Sequence, residues 1–140
     1  NSDLVQNISS LIGSQSLVLH FDYRCDFLGR YTFYVNRGKK KLNIKFSQML
    51  DYVSKHHPGE VVFQSIELDG TKKGLDKKFI KNFDLEFNTP IKFVGGCSGY
   101  LDLESCHTIN SLASFGVGAH FILHGKDDAI LPSYDTPRFL

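Results

Sequence analysis

Two glycine-bearing segments, each directly after a short apolar run, constrain the fold of this chain more than any other feature. Residues 65–71 read SIELDGT after the run at 60–64, and residues 94–99 read VGGCSG after the run at 91–93. A glycine after a strand lets the backbone turn tightly with its amides facing inward, and such a concave turn attracts an anion without a charged side chain. The two segments therefore predict one phosphate pocket at the ends of two neighbouring strands.

Strand and helix patterns alternate along the chain. Short, nearly continuous apolar runs predict strands, and apolar residues at helical spacing predict helices between them. The predicted strands are residues 17–21, 60–65, 91–94 and 113–118, and the predicted helices are a first one ended by Gly13, then 46–56, 76–83 and 103–109. Four strands that alternate with helices indicate a parallel sheet, with Asp22 at the C-terminal end of its first strand.

A small exposed hairpin is predicted between the first strand and the second helix. Residues 31–35 are rich in strand formers, and the turn residues 36–38 precede residues 39–42. The lysines at 39–41 are expected on the solvated edge of this hairpin, where charge also blocks pairing with another chain. A role in guiding an anion towards the pocket is the alternative.

Charge, apolar runs and cysteine content exclude several classes of protein. The net charge is +1, with 16 basic and 15 acidic residues, so we expect no nucleic-acid partner. The longest apolar runs fall far short of the roughly 18 residues of a membrane-spanning helix, so we expect no membrane partner. Three cysteines without metal-ligand spacing favour a reduced, cytoplasmic protein with no metal and no other cofactor. Cys97, beside the glycine pair, is the candidate for a nucleophile if there is one.

Residues 1–140 are expected to form one domain of a longer protein, because the chain starts with neither an initiator methionine nor a signal sequence. A complete (βα)8 barrel needs roughly 250 residues, so four strand–helix units predict half a barrel. An open doubly wound sheet is the alternative, but its phosphate-binding glycines belong in a GxGxxG pattern that this chain lacks. Half a barrel exposes sheet edges and apolar surface, so it should bind the missing N-terminal half or a second copy of itself.

Three motifs together give the chain a resemblance to a known family. Residues 13–16 (GSQS), 65–71 (SIELDGT) and 95–96 (GG) stand where the cyclase subunit of imidazole glycerol phosphate synthase carries Gly-Ser-Gln, Ser-Ile-Asp-Arg-Asp-Gly-Thr and Gly-Gly-Ala-Gly. The resemblance implies an α/β fold of the (βα)8 TIM-barrel family. This chain would be its C-terminal half, strands five to eight, with a small β-hairpin insertion.

The same resemblance implies an activity, a partner and a set of site residues. The enzyme would be a lyase of histidine biosynthesis, in which ammonia from a glutaminase subunit attacks a phosphorylated ribulosyl formimino nucleotide and imidazole glycerol phosphate is formed. Asp22 matches the catalytic aspartate of strand five, a general acid or base, whereas the aspartate of strand one has no counterpart here. The residues that match the phosphate-binding positions are Asp69, Gly70, Thr71, Gly95, Gly96, Gly118 and Ala119.

Departures from the family pattern keep other functions open. Glu67 replaces an aspartate, Gln64 replaces a threonine, and Ala119 stands where an anion-binding serine is usual. Losing that hydroxyl predicts weaker phosphate binding or a different ligand. Residues 121–134 look like the tail of a divergent branch found with surface-polysaccharide genes, in which ammonia would amidate a sugar. A barrel half that only binds phosphate or the glutaminase, without catalysis, is the third possibility.

Each candidate residue also has a purely structural interpretation. Asp22 could cap a loop or pair with Arg24, and the glycines could do no more than permit tight turns. Residues 56–57 are expected to cap a helix rather than bind a metal. His20 and His120 are expected to be packed rather than catalytic.

Overall fold

One sheet organises the part of the chain that the computed structural model describes, residues 2–83 and 87–117. Its strand order is β3-β2-β1-β4-β5-β6. The strands are β1 (Val18–Cys25), β2 (Tyr31–Val35), β3 (Lys40–Lys41), β4 (Glu60–Ser65), β5 (Ile91–Val94) and β6 (Ser114–Phe115). The helices are α1 (Ser2–Ile12), α2 (Phe46–His56), α3 (Lys77–Ile80) and α4 (Tyr100–Ile109), with a 3₁₀ turn at Ser14–Ser16. Among these helices, none is long and apolar enough to cross a membrane.

The parallel part of the sheet follows the order of the chain. Strand β1 pairs in parallel with β4, β4 with β5, and β5 with β6. An open doubly wound sheet reverses its strand order at a switch point, and these four strands show no reversal over the described residues. The sheet is not closed, so the described residues form an α/β structure with a parallel-rich, open sheet.

A row of phenylalanines fixes the register of the parallel strands. Phe21, Phe63, Phe93 and Phe115 lie opposite one another on successive strands. Their rings stack with centroid distances of 5.8, 6.0 and 6.1 Å. Because side chains alternate between the faces of a sheet, a slip of one residue would move the whole row to the opposite face.

The helices that join the core all pack on this phenylalanine face. Met49 and Val53 of α2, Phe79 of α3 and Cys106 of α4 belong to one buried cluster with the phenylalanine row. Burial of each large apolar side chain contributes about 1.5–3 kcal/mol. The opposite face carries polar side chains near the C-terminal ends of the strands, and we call it the polar face. Its members include His20 and Asp22 on β1 and Gln64 on β4.

Helices α1 and α2 end as their sequences predict. Gly13 takes a left-handed conformation (φ 83°), and its N–H bonds to the Ser9 carbonyl at 2.9 Å, which closes α1. His57 does the same for α2 (φ 44°), with its N–H on the Val53 carbonyl at 3.0 Å, directly before Pro58. The predictions for the end of α1, for α2, for β4 and for β5 are therefore confirmed.

The prediction for the hairpin is wrong in one respect. Strand β2 is not exposed, because it pairs antiparallel with β1 and its Phe33 is fully buried in the core. This pairing also extends β1 to Cys25, so Asp22 lies inside the strand rather than at its end. Asp22 nevertheless pairs with Gln64 near the end of β4, which places it at the edge where the parallel ladder stops.

Two elements are shorter than predicted. Helix α3 has only four residues, Lys77–Ile80, and is capped by Asp76, whose side chain accepts the Phe79 N–H. It ends before Phe83, although Phe79, Ile80 and Phe83 are all buried. Strand β6 is limited to Ser114–Phe115 within the described residues. Apolar spacing therefore located the buried side chains correctly but not the hydrogen bonds that define the helix.

Candidate functional site

A cleft of about 420 Å³ lies where the ladder between β1 and β4 ends. It brings together the two acidic residues that the sequence singled out, Asp22 from β1 and Asp69 from the loop after β4. Gln64 lies between them and donates from Nε2 to Asp69 Oδ2 at 3.1 Å. The other residues that line this cleft are His20, Val35, Asn36, Arg37 and Ile66.

Asp22 is held in place by the hairpin turn. The backbone N–H of Gly38, 16 residues away, donates to Asp22 Oδ2 at 2.7 Å. Asn36 and Arg37 (φ 57° each) and Gly38 (φ 73°) all take the left-handed conformation, so the turn has a defined shape around the carboxylate. Arg24, a possible partner for Asp22 from the sequence, instead lies over the Tyr34 ring, 5.3 Å from its centroid. Asp22 therefore both fixes the turn and faces the cleft.

Asp69, Gly70 and Thr71 form a turn that largely satisfies its own hydrogen bonds. The N–H and the hydroxyl of Thr71 both donate to the Leu68 carbonyl, at 3.0 and 2.7 Å. The Asp69 N–H donates to the Ser65 carbonyl at 3.1 Å. Gly70 is left-handed (φ 71°), and a Cβ there would meet nothing within 4 Å. An anion bound by Thr71 would have to replace its bonds to Leu68.

The glycine pair after β5 packs directly against the segment after β4. A Cβ on Gly95 would lie 2.8 Å from the Ser65 carbonyl oxygen, and one on Gly96 would lie 2.5 Å from the Gly74 oxygen and 2.7 Å from Leu68 Cβ. The Gly96 carbonyl also accepts the Gly74 N–H at 2.7 Å. The two glycine-bearing segments are thus in contact. Their close approach is a structural reason for glycine at both positions, whatever ligand they bind.

Replacing Gly96 with alanine should destabilise the fold by about 2–5 kcal/mol. The left-handed conformation (φ 91°) costs an alanine roughly 1–2 kcal/mol, and the overlap with Gly74 and Leu68 adds roughly 1–3 kcal/mol. Gly70→Ala is the matched control, because it adds only the conformational cost in open space. Urea denaturation of both variants tests this, and equal losses would contradict close packing at Gly96.

A buried carboxylate that the sequence reasoning missed ties the two segments together. Asp102, in the first turn of α4, accepts the Leu75 N–H at 2.8 Å and the Ser98 N–H at 3.2 Å on Oδ2. Its Oδ1 lies 3.3 Å from Lys77 Nζ. An acidic residue in the first turn of a helix is stabilised by the helix dipole. This position in a predicted helix is the sequence signal that could have identified Asp102. The carboxylate of Asp102 therefore bridges Leu75 and Ser98 and supplies a negative charge beside Lys77.

The buried cysteines are not activated for nucleophilic chemistry. Burial raises the pKa of the Cys97 thiol, and burial together with the nearby Asp102 carboxylate raises the pKa of Cys106 to about 11. Both therefore stay protonated near neutral pH, whereas a nucleophile needs the thiolate. Cys97 is accordingly a packed residue beside the glycine pair.

The remaining predicted residues have these positions. His56 is buried against Tyr52, and His57 is the left-handed residue that ends α2. Lys40 and Lys41 are exposed on the edge strand β3. Gly118, Ala119 and His120 lie outside the described residues. Within the described ranges, no three His, Cys, Asp or Glu side chains are grouped so that they could hold a metal ion.

Comparison with known proteins assigns the chain to a family. The family model described as histidine biosynthesis protein matches residues 1–126. A Leptospira interrogans protein provisionally named imidazole glycerol phosphate synthase subunit HisF is 27% identical over 135 residues, 96% of this chain and 53% of the relative. A Pseudomonas aeruginosa protein provisionally named subunit hisF2 is 28% identical over 131 residues, 94% and 52% respectively. Subunit HisF of Dictyoglomus turgidum is 31% identical over 103 residues, 74% and 41%. The chain thus spans about half the length of the curated relatives it matches.

Proposed function

Because this chain belongs to the histidine biosynthesis protein family, whose members are TIM barrels, we propose that it is the C-terminal half of a (βα)8 cyclase barrel. The four parallel strands would be strands five to eight of that barrel, and the polar face would line its interior. The strand order supports this assignment, because neighbouring strands in a barrel follow the chain. The match covers 53% of the Leptospira interrogans relative, which also supports half a barrel.

Exposed apolar residues on α1 also support a missing half. Leu11 is 84% exposed, and Leu4 and Ile12 are more than half exposed. In a complete barrel the outer helix before a strand packs against its neighbours, so these side chains would be covered by the N-terminal half. Residues 1–140 would then be a single structural unit that depends on that half.

The 140-residue chain by itself is expected to associate with itself. Within the described residues its open sheet has edges at β3 and β6, and α1 exposes the apolar residues just described, so a second copy would cover surface that is unfavourable in water. Sedimentation velocity over a range of concentrations tests this expectation. A monodisperse monomer at all concentrations would count against the half-barrel assignment.

We further infer a lyase activity in which ammonia, delivered by a glutaminase subunit, reacts with a phosphorylated ribulosyl formimino nucleotide. The observation that carries this proposal is the placement of Asp22, whose carboxylate is fixed by the Gly38 amide and faces the cleft that also contains Asp69. Attack by ammonia on a carbonyl requires proton transfers at the carbonyl oxygen and at nitrogen. A fixed carboxylate beside the reacting atoms can accept and return those protons.

Ammonia-dependent turnover tests the activity directly. The complete barrel, residues 1–140 together with the N-terminal half, should form imidazole glycerol phosphate from an ammonium salt and the histidine-pathway nucleotide without a glutaminase. If the folded protein does not convert this nucleotide although its glutaminase complex still channels ammonia, the cyclase assignment fails. The sugar-amidating branch suggested by residues 121–134 would then be the function to test.

The phosphate group of the substrate is proposed to bind beside the glycine-bearing segments, at Asp69, Gly70, Thr71, Gly95 and Gly96, together with Gly118 and Ala119, which match phosphate-binding positions of the family. The contact between Gly96 and Gly74 supports a single pocket here. Calorimetric titration with inorganic phosphate should show saturable binding, because backbone amides near strand ends and helix starts attract anions. The absence of binding to phosphate and sulfate would leave the glycines with a packing role only.

A further inference from the structure

A histidine that the proposed reaction does not use lies next to Asp22. His20 and Asp22 are two residues apart on β1, so their side chains share the polar face. His20 Nε2 lies 3.5 Å from Asp22 Oδ1, and the exposed fractions of the two side chains are 49% and 13%. The sequence predicted a packed role for His20. The structure instead places a half-exposed imidazole in the same cleft as the proposed acid or base.

The two oxygens of Asp22 have different surroundings. Oδ2 accepts the Gly38 N–H at 2.7 Å and is thereby held against the hairpin turn. Oδ1 faces His20 and the cleft. A partner group beside Oδ1 would fix the orientation of the carboxylate.

We propose that His20 is a positioning residue for Asp22, with its Nε2 against Oδ1 while the Gly38 amide holds Oδ2. The two contacts together fix the carboxylate plane from both sides. This inference rests on the proposed function, because Asp22 acts there as the acid or base.

Other residues face the same region and stay unchanged in the His20 variants. Tyr34 on β2 lies opposite Asp22, and Val62 on β4 lies opposite His20. Among the described residues, the charged groups on this side include Arg24 over Tyr34, Lys41 opposite Tyr34, Arg37 and Asp69 in the cleft, and the Glu60–Lys92 ion pair at 2.9 Å on β4 and β5.

Turnover of two variants tests the role of His20. His20→Leu should lower kcat roughly 10- to 100-fold with KM nearly unchanged, the loss seen when a partner that orients a functional group is removed. His20→Gln should recover part of the loss, because its amide can donate to Oδ1. Full activity of His20→Leu, or a loss that appears in KM rather than in kcat, would overturn the proposal.

A measurement on the protein without substrate separates this inference from the proposed function. Nitrogen NMR of the histidine rings should show that Asp22→Asn shifts the Nε2 resonance of His20, whereas the matched change Asp69→Asn in the same cleft does not. An unchanged His20 resonance in Asp22→Asn would overturn the pairing. A shifted His20 resonance together with no conversion of the histidine-pathway nucleotide would support the pairing and rule out the proposed reaction.

Discussion

Replacing Asp102 with alanine is expected to lower the free energy of unfolding by about 2–5 kcal/mol. The side chain is only 4% exposed, and two backbone N–H groups, those of Leu75 and Ser98, depend on it for an acceptor. The Leu75 N–H is buried, and a buried donor that loses its acceptor costs roughly 1–3 kcal/mol. Ser98 is exposed, so water can replace the acceptor there, and its bond adds roughly 0.5–1.5 kcal/mol. These two terms account for most of the loss. Urea denaturation followed by circular dichroism measures it.

The ion pair itself should contribute little, and Lys77→Ala is the control that shows this. The Lys77 side chain is 45% exposed, so its ammonium group is solvated in either state and the pair is screened. The expected loss for Lys77→Ala is at most about 1 kcal/mol. If the two variants lose equal stability, the charge pair rather than the backbone bonds joins the segment before α3 to the start of α4.

Asp102 also bears on the glycine-bearing segments. It bonds to Leu75, next to Gly74, and to Ser98, which follows the glycine pair. The Gly74–Gly96 bond joins the same two stretches of chain at 2.7 Å. Loss of the carboxylate should therefore loosen the contact that brings the two segments together, and phosphate binding in the Asp102 variant should weaken along with stability.

Strands β4 and β5 and helix α2 could be predicted closely because their signals are local. The run at 60–65 is bounded by Gly59 before it and a turn after it, and α2 combines a regular apolar spacing with Pro58 as a stop. The burial of strand β2 could not be predicted, because it depends on pairing with β1 that forms only in the folded chain. The extension of β1 to Cys25 has the same cause.

The candidate site could likewise be predicted only where its residues follow from local signals. Asp22 and Asp69 could be placed together because the C-terminal ends of neighbouring parallel strands meet at one edge. The Gly38–Asp22 bond spans 16 residues and the Leu75–Asp102 bond spans 27, and no spacing rule relates such distant positions. His20 was overlooked because a histidine within an apolar run usually packs, and only the pleat of β1 shows which face it shares with Asp22.

Asp22→Asn is expected to reduce kcat for ammonia-dependent turnover by about 10²–10⁴-fold, the usual contribution of a positioned general acid or base. The amide oxygen of asparagine can still accept the Gly38 N–H, so the hairpin turn should keep its place on β1. The amide cannot take up a proton at neutral pH, so the chemical step should slow while KM and stability change little. A large loss of kcat without a loss of stability would show that Asp22 acts in catalysis and does not only hold the hairpin turn.

Asp26→Asn provides the matched control for this change. Asp26 lies just after β1, accepts the N–H groups of Leu28 and Arg30 at 2.9 Å each, and pairs with the Arg30 side chain at 2.8 Å, outside the cleft. The control should keep wild-type turnover, because asparagine can accept the same backbone bonds. If Asp22→Asn also turns over at the wild-type rate, Asp22 is not the acid or base, and its carboxylate serves only to hold the turn at Gly38. If both variants lose activity equally, the loss comes from the hairpin that the two residues shape, since a proton-transfer role would single out Asp22.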